Sequence, residues 1–370
     1  MPVLGFSRFR RCMTRHEPVD DAPMSKSMTK SPIIQPAEWE PHSAVWSAWP
    51  SHADLWLEDL EPAQAQVAAL FKAIADVGPD GKPRGEALKI VACGDEAVAS
   101  ASAALAGTGA EIIPGIFGDI WFRDTAPIFV RAAGKLAAAC FIFNGWGGKY
   151  VLDGDEGVAA FVAHKAGVIT TTNTWVLEGG SIDVDGQGTC LTTRQCLLNA
   201  NRNPDLTQAD IEERLRLGLG IEKLIWLGDG LANDHTDGHV DNIARFIAPG
   251  VVMCMEPAGT DDPNRDALKA IIADLKAATD INGRKLEVVT VPSPGRVENE
   301  DGEIIPASSM NFYIGNTTVV VPLYGSATDD AAVAAIAKAF PGRRTVGLPA
   351  GSVITGGGSF HCITQQQPLA

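Results

Sequence analysis

Seven cysteines are scattered through the 370 residues, and one of them stands in a setting unlike the others. Cys362 lies in "GGGSFHCITQQQP", residues 356–368, behind Gly356, Gly357 and Gly358. Consecutive glycines cost backbone entropy and make sense where the main chain bends sharply or where a ligand must come close. A free cysteine is more often a small buried hydrophobe. Cys93, Cys140, Cys190 and Cys254 sit in apolar, strand-like runs and Cys196 in "QCLLN", and all five read that way; Cys12 falls in the N-terminal leader. A phosphate cradle would need the Lys and Ser/Thr of a P-loop and a helix after it, and this stretch has neither. Cys362 is the candidate nucleophile, with Gly357 beside the bound ligand.

A second informative stretch is "NDHTDGHVDN", residues 233–242. His235, His239 and Asp241 could ligate zinc or iron. Equally, the segment runs into "VDNIARFI", where strand alternation places His239 and Asp241 on one face, a general acid/base beside a carboxylate. Two more segments, "GDIWFRDTAP" and "VLEGGSIDVDG", each set a carboxylate, Asp124 or Glu178, against apolar strand residues. Such a charge is costly unless paired. Arg123 beside Asp124, and backbone N–H groups near Glu178, are the plain partners. Taken jointly, three carboxylates, a histidine and a thiol, with no lysine in these segments, describe a pocket for a planar cation with many donors. A guanidinium has five N–H donors in a fixed fork that carboxylates match in pairs.

The elements that must position these residues recur along the chain. Hairpins are expected to turn at Ala133-Gly134, Asp185-Gly186, Pro249-Gly250 and Gly315-Asn316, each flanked by apolar or β-branched runs. Helices are expected over 61–77, where Val67, Leu70, Phe71 and Ile74 form a stripe, and over 95–106, 155–166 and 328–340. A further helix over 208–217 starts at the cap Thr207 with Asp210 three residues on, and one over 263–278 starts at Asp262-Pro263. One more strand follows most of these helices, so the chain repeats strand, strand, helix, strand. Asp124, Glu178, His239 with Asp241, Asn311 and Cys362 fall at the starts of successive hairpins or their equivalents, at spacings of 54, 61, 70 and 51 residues. Modules set around an axis would aim all of these side chains at one central pocket. An open Rossmann sheet would instead want an early Gly-rich phosphate fingerprint, which is lacking.

Composition narrows the partners. With 30 Lys and Arg against 45 Asp and Glu, the formal charge is −15, which repels nucleic acid and anionic membrane and attracts a basic, polyamine-like substrate. An odd cysteine count without a CxxC pair suggests neither a disulfide framework nor a structural zinc site, and fits a reducing cytoplasm. No apolar run approaches the ~18 residues of a membrane span. Residues 1–31 lack the apolar core of a secretory signal and read as a disordered leader or an upstream start, with Met24 or Met28 as alternative starts. Glu17, Asp20 and Asp21 count against an organelle transit peptide. Residues 32–370 are expected to form a single catalytic domain, and a homodimer is compatible with it.

"AEWEPHSAVWSAWPS", "GDIWFRDTAP", "FNGWGGKY", "LEGGSIDVDGQGTCLTTRQCLLNANRNP", "DHTDGHVDN", "NFYIGN" and "GGGSFHCITQQQP" occur in this order over residues 34–367. Together they resemble the agmatine deiminase family, the bacterial peptidylarginine-deiminase type of guanidino-modifying enzyme. The resemblance implies a five-bladed α/β propeller of pseudo-fivefold ββαβ modules. It implies Cys362 as nucleophile, His239 as general acid/base, Asp124 and Asp241 as guanidinium clamps and Glu178 as a further carboxylate, with no metal or organic cofactor. Phe122, Ala126 and Asp183 depart from the family pattern, and none is one of the five proposed catalytic positions. Agmatine suits an acidic pocket with no evident arginine for an α-carboxylate, since alternation points Arg123 and Arg245 away. Asp237 or Asp234 is expected near the distal ammonium and Trp121 as an aromatic wall. The alternatives are a peptidylarginine or free-arginine deiminase, an amidinotransferase of the same fold, a binding protein with a dead site, and a metal-dependent hydrolase using His235, His239 and Asp241.

Overall fold

A computed structural model describes residues 33–370; the expected leader over 1–31 lies outside them. The strands form five separate sheets, and each is built from an antiparallel strand pair extended by a parallel strand. In the first, Ile128–Ala132 pairs with Lys135–Ile142, which then pairs in parallel with Ile169–Val176. Ala133 and Gly134 form its two-residue turn with φ of 49° and 75°. Positive φ at both positions is what a right-twisted hairpin demands, and glycine meets it without strain.

The second sheet joins Ile182–Val184, Thr189–Thr193 and Lys223–Leu227, and the third joins Ala244–Ala248, Val251–Glu256 and Glu287–Pro292. Tyr313–Ile314, Thr318–Leu323 and Arg344–Pro349 make the fourth. The fifth is assembled from both ends of the described chain: Gln365–Pro368 runs antiparallel to His42–Ala48, which is followed in parallel by Ala87–Ala92 and Glu111–Pro114. Five helices connect the second strand of each sheet to the third: Asp155–Ala166, Gln208–Leu219, Arg265–Ala277, Asp329–Ala339 and Leu60–Ala75. Asp95–Ala104 is an additional helix in the fifth unit. The repeat read from the sequence is therefore present in all five sheets, the last being closed by distant segments.

Local chemistry explains the helix ends. Thr207 accepts the N–H of Asp210 while the Asp210 carboxylate accepts the N–H of Thr207, a reciprocal cap. Gly220, at φ 73°, ends the same helix in the left-handed conformation. The helix expected to start at Asp262-Pro263 starts instead at Arg265. The Asp262 carboxylate accepts from Asn264 and Ala258 N–H groups and so organises a turn ahead of the helix. Leu268, Ile271 and Leu275 bury one face of that helix, as Val67, Leu70, Phe71 and Ile74 bury theirs. Apolar residues from helices and sheets gather into three core clusters. Among the described residues no helix is long and apolar enough to cross a membrane.

Candidate active site

Each candidate side chain sits on a short turn just before the first strand of its sheet. Asp124 lies on the one-turn helix Phe122–Thr125 ahead of Ile128–Ala132. Glu178 precedes the 3-10 turn Gly179–Ser181 and the strand Ile182–Val184. His239 caps the 3-10 turn Val240–Asn242, which carries Asp241. Asn311 stands two residues before Tyr313–Ile314, and Cys362 three before Gln365–Pro368. This corrects one expectation: His239 and Asp241 are not brought together by strand alternation but by a turn, closed by the Ile243 N–H on the Val240 carbonyl. Before Cys362 the strand Arg344–Pro349 ends and the chain turns through Ile354–Gly356, so the glycines do accompany a bend.

The glycines have a packing reason. A Cβ on Gly358 would stand 2.6 Å from the Trp121 ring and 3.1 Å from the Cys362 Cβ, and one on Gly356 would meet Trp121 and Trp56 at 2.8 and 2.9 Å. Gly357 has φ of 100°, a conformation that costs other residues strain. The run thus lets two tryptophans press against the main chain that leads to the thiol.

These turns bring the five candidate residues together. Asp124 accepts the Trp146 indole N–H at 2.9 Å and the Gly180 N–H at 2.9 Å, and its Oδ2 lies 3.8 Å from His239 Nδ1. Glu178 Oε2 stands 3.9 Å from His239 Nε2, and its Oε1 accepts from Arg202 at 2.7 Å. Cys362 Sγ is 3.9 Å from Asp241 Oδ2 and receives the Asn311 amide at 3.1 Å. A Cβ on Gly180 would fall 2.6 Å from His239 Nδ1, 3.0 Å from Asp124 and 3.1 Å from Asp241, so the imidazole and both carboxylates converge on one point. Neither ring nitrogen of His239, nor Asp241 Oδ1, has a hydrogen-bond partner among the described residues.

Asp124 and Cys362 line a cavity of about 320 Å³, while His239, Glu178 and Asp241 are fully buried and do not line it. Trp56, Trp121, Trp146 and Tyr150 supply aromatic walls, and Gly357 lines it as expected. Its charged lining is Glu58, Asp59, Asp119 and Asp124, with no Lys or Arg. Asp119 accepts both the Trp56 and the Trp121 indole N–H, at 3.1 and 2.6 Å, which fixes the two rings in a tilted stack. Burial pushes its carboxyl up to about 6 despite these bonds.

The electrostatics are opposite to a resting thiolate–imidazolium pair. Burial, then the Asp241 and Asp124 charges, raise the Cys362 thiol well above its ordinary value. Burial pulls His239 down, but Asp124, with Cys196 and Glu178 also beside the ring, holds it well above the usual imidazole value. Burial raises Asp124. The same effect on Glu178 is overcome by His239 and Arg202, and on Asp241 by His361, so both are lowered. Burial and the neighbouring carboxylates thus favour the neutral thiol at Cys362.

Several expectations about neighbours change. Asp237 does not line the cavity; Arg202, Lys149 and Asn201 take its oxygens at 2.5, 2.6 and 2.9 Å. Asp234 bonds Thr236 and Asn242 instead. Arg123 does not pair with Asp124 but with Glu38, Gln365 and Gln366, and Arg245 pairs with Glu38 and Asp183, so both do point away from the cavity. Asp183, which departs from the family pattern, is spent on that bond and on the Phe246 N–H. His235 is an exposed residue at the cavity rim, stacked on Tyr150 at 5.7 Å, so the set His235, His239 and Asp241 is not a ligand cluster. The His/Cys/Asp/Glu group that does converge among the described residues is Glu178, Cys196 and His239.

The sequence reading missed Glu38, Trp146, Arg202 and His361. His361 lies between Asp241 and Glu38, 2.7 Å from an oxygen of each, and Glu38 is tied in turn to Arg245 at 2.7 Å. All four stand inside motifs already singled out, "AEWE", "FNGWGG", "NANRNP" and "FHC". For Glu38, Arg202 and His361 the available signal was an ionisable side chain inside such a motif, and for Trp146 an indole among glycines.

Residues 34–368 match the family described as Porphyromonas-type peptidyl-arginine deiminase. An agmatine deiminase of Stutzerimonas stutzeri (strain A1501) is 39% identical over 362 residues, covering 90% of this chain and 95% of the relative. Among solved structures, an agmatine deiminase of Enterococcus faecalis, described as catalysing its reaction, superposes with a TM-score of 0.84 at 34% identity, over 92% of this chain and 98% of that one. A C. jejuni agmatine deiminase with a serine-for-cysteine substitution and substrate bound gives 0.83 at 26% identity, over 91% and 97%.

Proposed function

Because the chain belongs to the Porphyromonas-type peptidyl-arginine deiminase family, and is a hydrolase of guanidino C–N bonds by that membership, we propose that its substrate is agmatine. The products are then N-carbamoylputrescine and ammonia. The observation that carries the choice is the cavity lining: its charges are acidic, and no Lys or Arg there meets an α-carboxylate. An aminobutyl arm that ends in an ammonium suits such walls. Free arginine does not.

In this reading the guanidinium sits where Asp124, Asp241 and His239 converge, with Asp241 Oδ1 and Asp124 accepting its N–H groups. The bound cation cancels the carboxylate charges that keep the thiol neutral, so Cys362 loses its proton to solvent and the thiolate adds to the central carbon. His239, protonated beside Asp124, gives its proton to the departing nitrogen, and ammonia leaves. The neutral imidazole then takes a proton from water, hydroxide adds to the amidino-thioether carbon, and the C–S bond breaks as the new O–H proton passes to the sulfur, releasing the ureido product and restoring the Cys362 thiol. Glu178, held by Arg202, keeps the His239 ring oriented. Asn311, 3.1 Å from the sulfur, steadies the thiolate. No step calls for a metal or an organic cofactor.

The same convergence supports a five-bladed propeller: residues leading five different sheets meet at one site, which blades set around a common axis would achieve. We place the enzyme in the cytoplasm, since its cysteines among the described residues are free thiols. The test is ammonia release from agmatine, arginine and a peptidyl-arginine, each with iodoacetamide or chelator. Agmatine turnover should persist in chelator and vanish on alkylation. Loss in chelator, or ammonia release by a folded Cys362→Ala variant, refutes the scheme.

A further inference from the structure

Cys196 is a thiol that the reaction above does not use, yet it stands inside the reacting centre. It lies on the one-turn helix Arg194–Leu197, where the Thr193 hydroxyl accepts its N–H and fixes its direction. Its Sγ is 4.0 Å from Glu178 Oε2. Cys196, Glu178 and His239 are all fully buried, and each offers one ligand atom such that the three lie within 4.8 Å of one another. The His239 ring nitrogens have no hydrogen-bond partner among the described residues, so a lone pair is free once the ring is neutral.

We propose that Cys196, Glu178 and His239 form an inhibitory site for a thiophilic divalent cation of the zinc class, overlapping the guanidinium site. The inference extends the deiminase reading to regulation of that same centre. A thiolate, an imidazole nitrogen and a carboxylate oxygen are a zinc-type donor set, and the sulfur disfavours Mg2+ and Ca2+. With metal–ligand bonds of ~2.0–2.3 Å, ligand atoms in a tetrahedral site stand about 3.5 Å apart, so the three side chains close by about 1 Å around the ion. On binding, the Cys196 S–H bond and one N–H bond of the His239 imidazolium break, both protons leave to solvent, and an S–metal and an N–metal bond form. Glu178 Oε2 and a His239 nitrogen each donate a lone pair. No electron is transferred. Arg202 remains on Glu178 Oε1, and the nearby Asp124 and Asp241 carboxylates offset the charge of the ion. The metal then occupies the imidazole that must protonate ammonia, and it repels the incoming guanidinium.

The test uses full-length Cys362→Ala protein, in which the nucleophilic sulfur is gone and Cys196 remains. Co2+ should bind with one equivalent per chain and give the near-ultraviolet charge-transfer band of a cobalt–thiolate bond. The band should vanish in the Cys362→Ala, Cys196→Ser protein. Zn2+ should raise the melting temperature of Cys362→Ala, and should inhibit the wild-type enzyme competitively with agmatine. Even an outer-shell partner is worth ~10–100-fold in metal affinity, so loss of the Cys196 ligand should weaken Zn2+ binding at least about tenfold. Absence of both the band and the thermal shift in Cys362→Ala overturns the proposal, as does a band that survives in the double variant. Those outcomes leave agmatine turnover untouched, so failure here is separate from failure of the deiminase reading, which the ammonia assay reads directly.

Discussion

Replacing His361 with Ala tests how Asp241 is held ready. The ring lies 2.7 Å from Asp241 Oδ2 through Nδ1 and 2.7 Å from Glu38 Oε2 through Nε2. Each contact joins a ring nitrogen to a carboxylate oxygen, which can only accept. Glu38 keeps Arg245 and the Ile314 N–H when the ring is removed, whereas Asp241 Oδ2 keeps only the weak 3.9 Å contact from the Cys362 thiol among the described residues. The deleted bond to Asp241 is charge-assisted and buried, worth ~1.5–3 kcal/mol, which corresponds to between about 10-fold and 150-fold in kcat/KM for agmatine. Burial pushes the Asp241 carboxyl up and the His361 bond is the first of the forces that bring it down. Without it the folded-state pKa rises, the clamp becomes protonated at a higher pH, and the acid limb of kcat/KM moves upward. His361→Asn, which retains one side-chain donor group, should fall between the wild type and the Ala variant. Circular dichroism and melting temperature show whether the variants are folded. A folded Ala variant with kcat/KM within about threefold of wild type and an unmoved acid limb would refute the positioning argument.

Gly180→Ala puts a methyl 2.6 Å from His239 Nδ1 and about 3 Å from both clamps, so kcat/KM should fall by about 100-fold for a folding cost of ~1–3 kcal/mol, measured by agmatine kinetics and urea unfolding. Arg202→Ala leaves Glu178 charged and buried without its cation, and urea unfolding should show a loss of ~3–5 kcal/mol. The Asp119 carboxyl is pushed up to about 6, so the folded state binds its proton more tightly than the unfolded chain does; stability falls as pH rises from about 4 to about 6, and Asp119→Asn should remove ~2 kcal/mol of that fall in unfolding midpoints taken at pH 4.5 and 7. Against free arginine, whose carboxylate would face Glu58 and Asp59, agmatine should lead by at least about 100-fold in kcat/KM; parity would place a cation where the cavity has none.

Periodicity and turn chemistry made the units legible. Ala133-Gly134 and the Thr207 cap are local devices whose residues specify them within four positions, and the structure uses both. Cys362, His239, Asp124, Glu178 and Asp241 were legible because each is a polar residue at the head of a strand pair, where an apolar residue would be the default. What was not legible depends on long-range geometry. Asp237 and Glu38 are both carboxylates in polar-looking stretches; only the fold decides that Arg202 and Lys149 absorb the first while Arg245, Arg123 and His361 gather around the second. Cys196 read as an apolar cysteine because its sequence neighbours are Leu197 and Leu198, and its spatial neighbours are Glu178 and His239.

The protonation pattern has a consequence for how the reaction starts. A thiolate at rest would lie 3.9 Å from the Asp241 carboxylate, in a site from which water is largely excluded, and the repulsion keeps the proton on sulfur. His239 is protonated for the converse reason: Asp124 Oδ2 is 3.8 Å away. In the proposed mechanism the resting site thus holds the acid charged and the nucleophile silent, with the carboxylates of Asp124 and Asp241 open to a further cation. A guanidinium supplies that charge at the place where it must react. In the proposed mechanism binding and activation are the same electrostatic event, so a cation that cannot reach the floor of the cavity should leave the sulfur protonated, and a neutral isostere of the guanidinium should dock without waking it. The two carboxylates therefore select substrates by charge twice, once in affinity and once in the ionisation of the thiol.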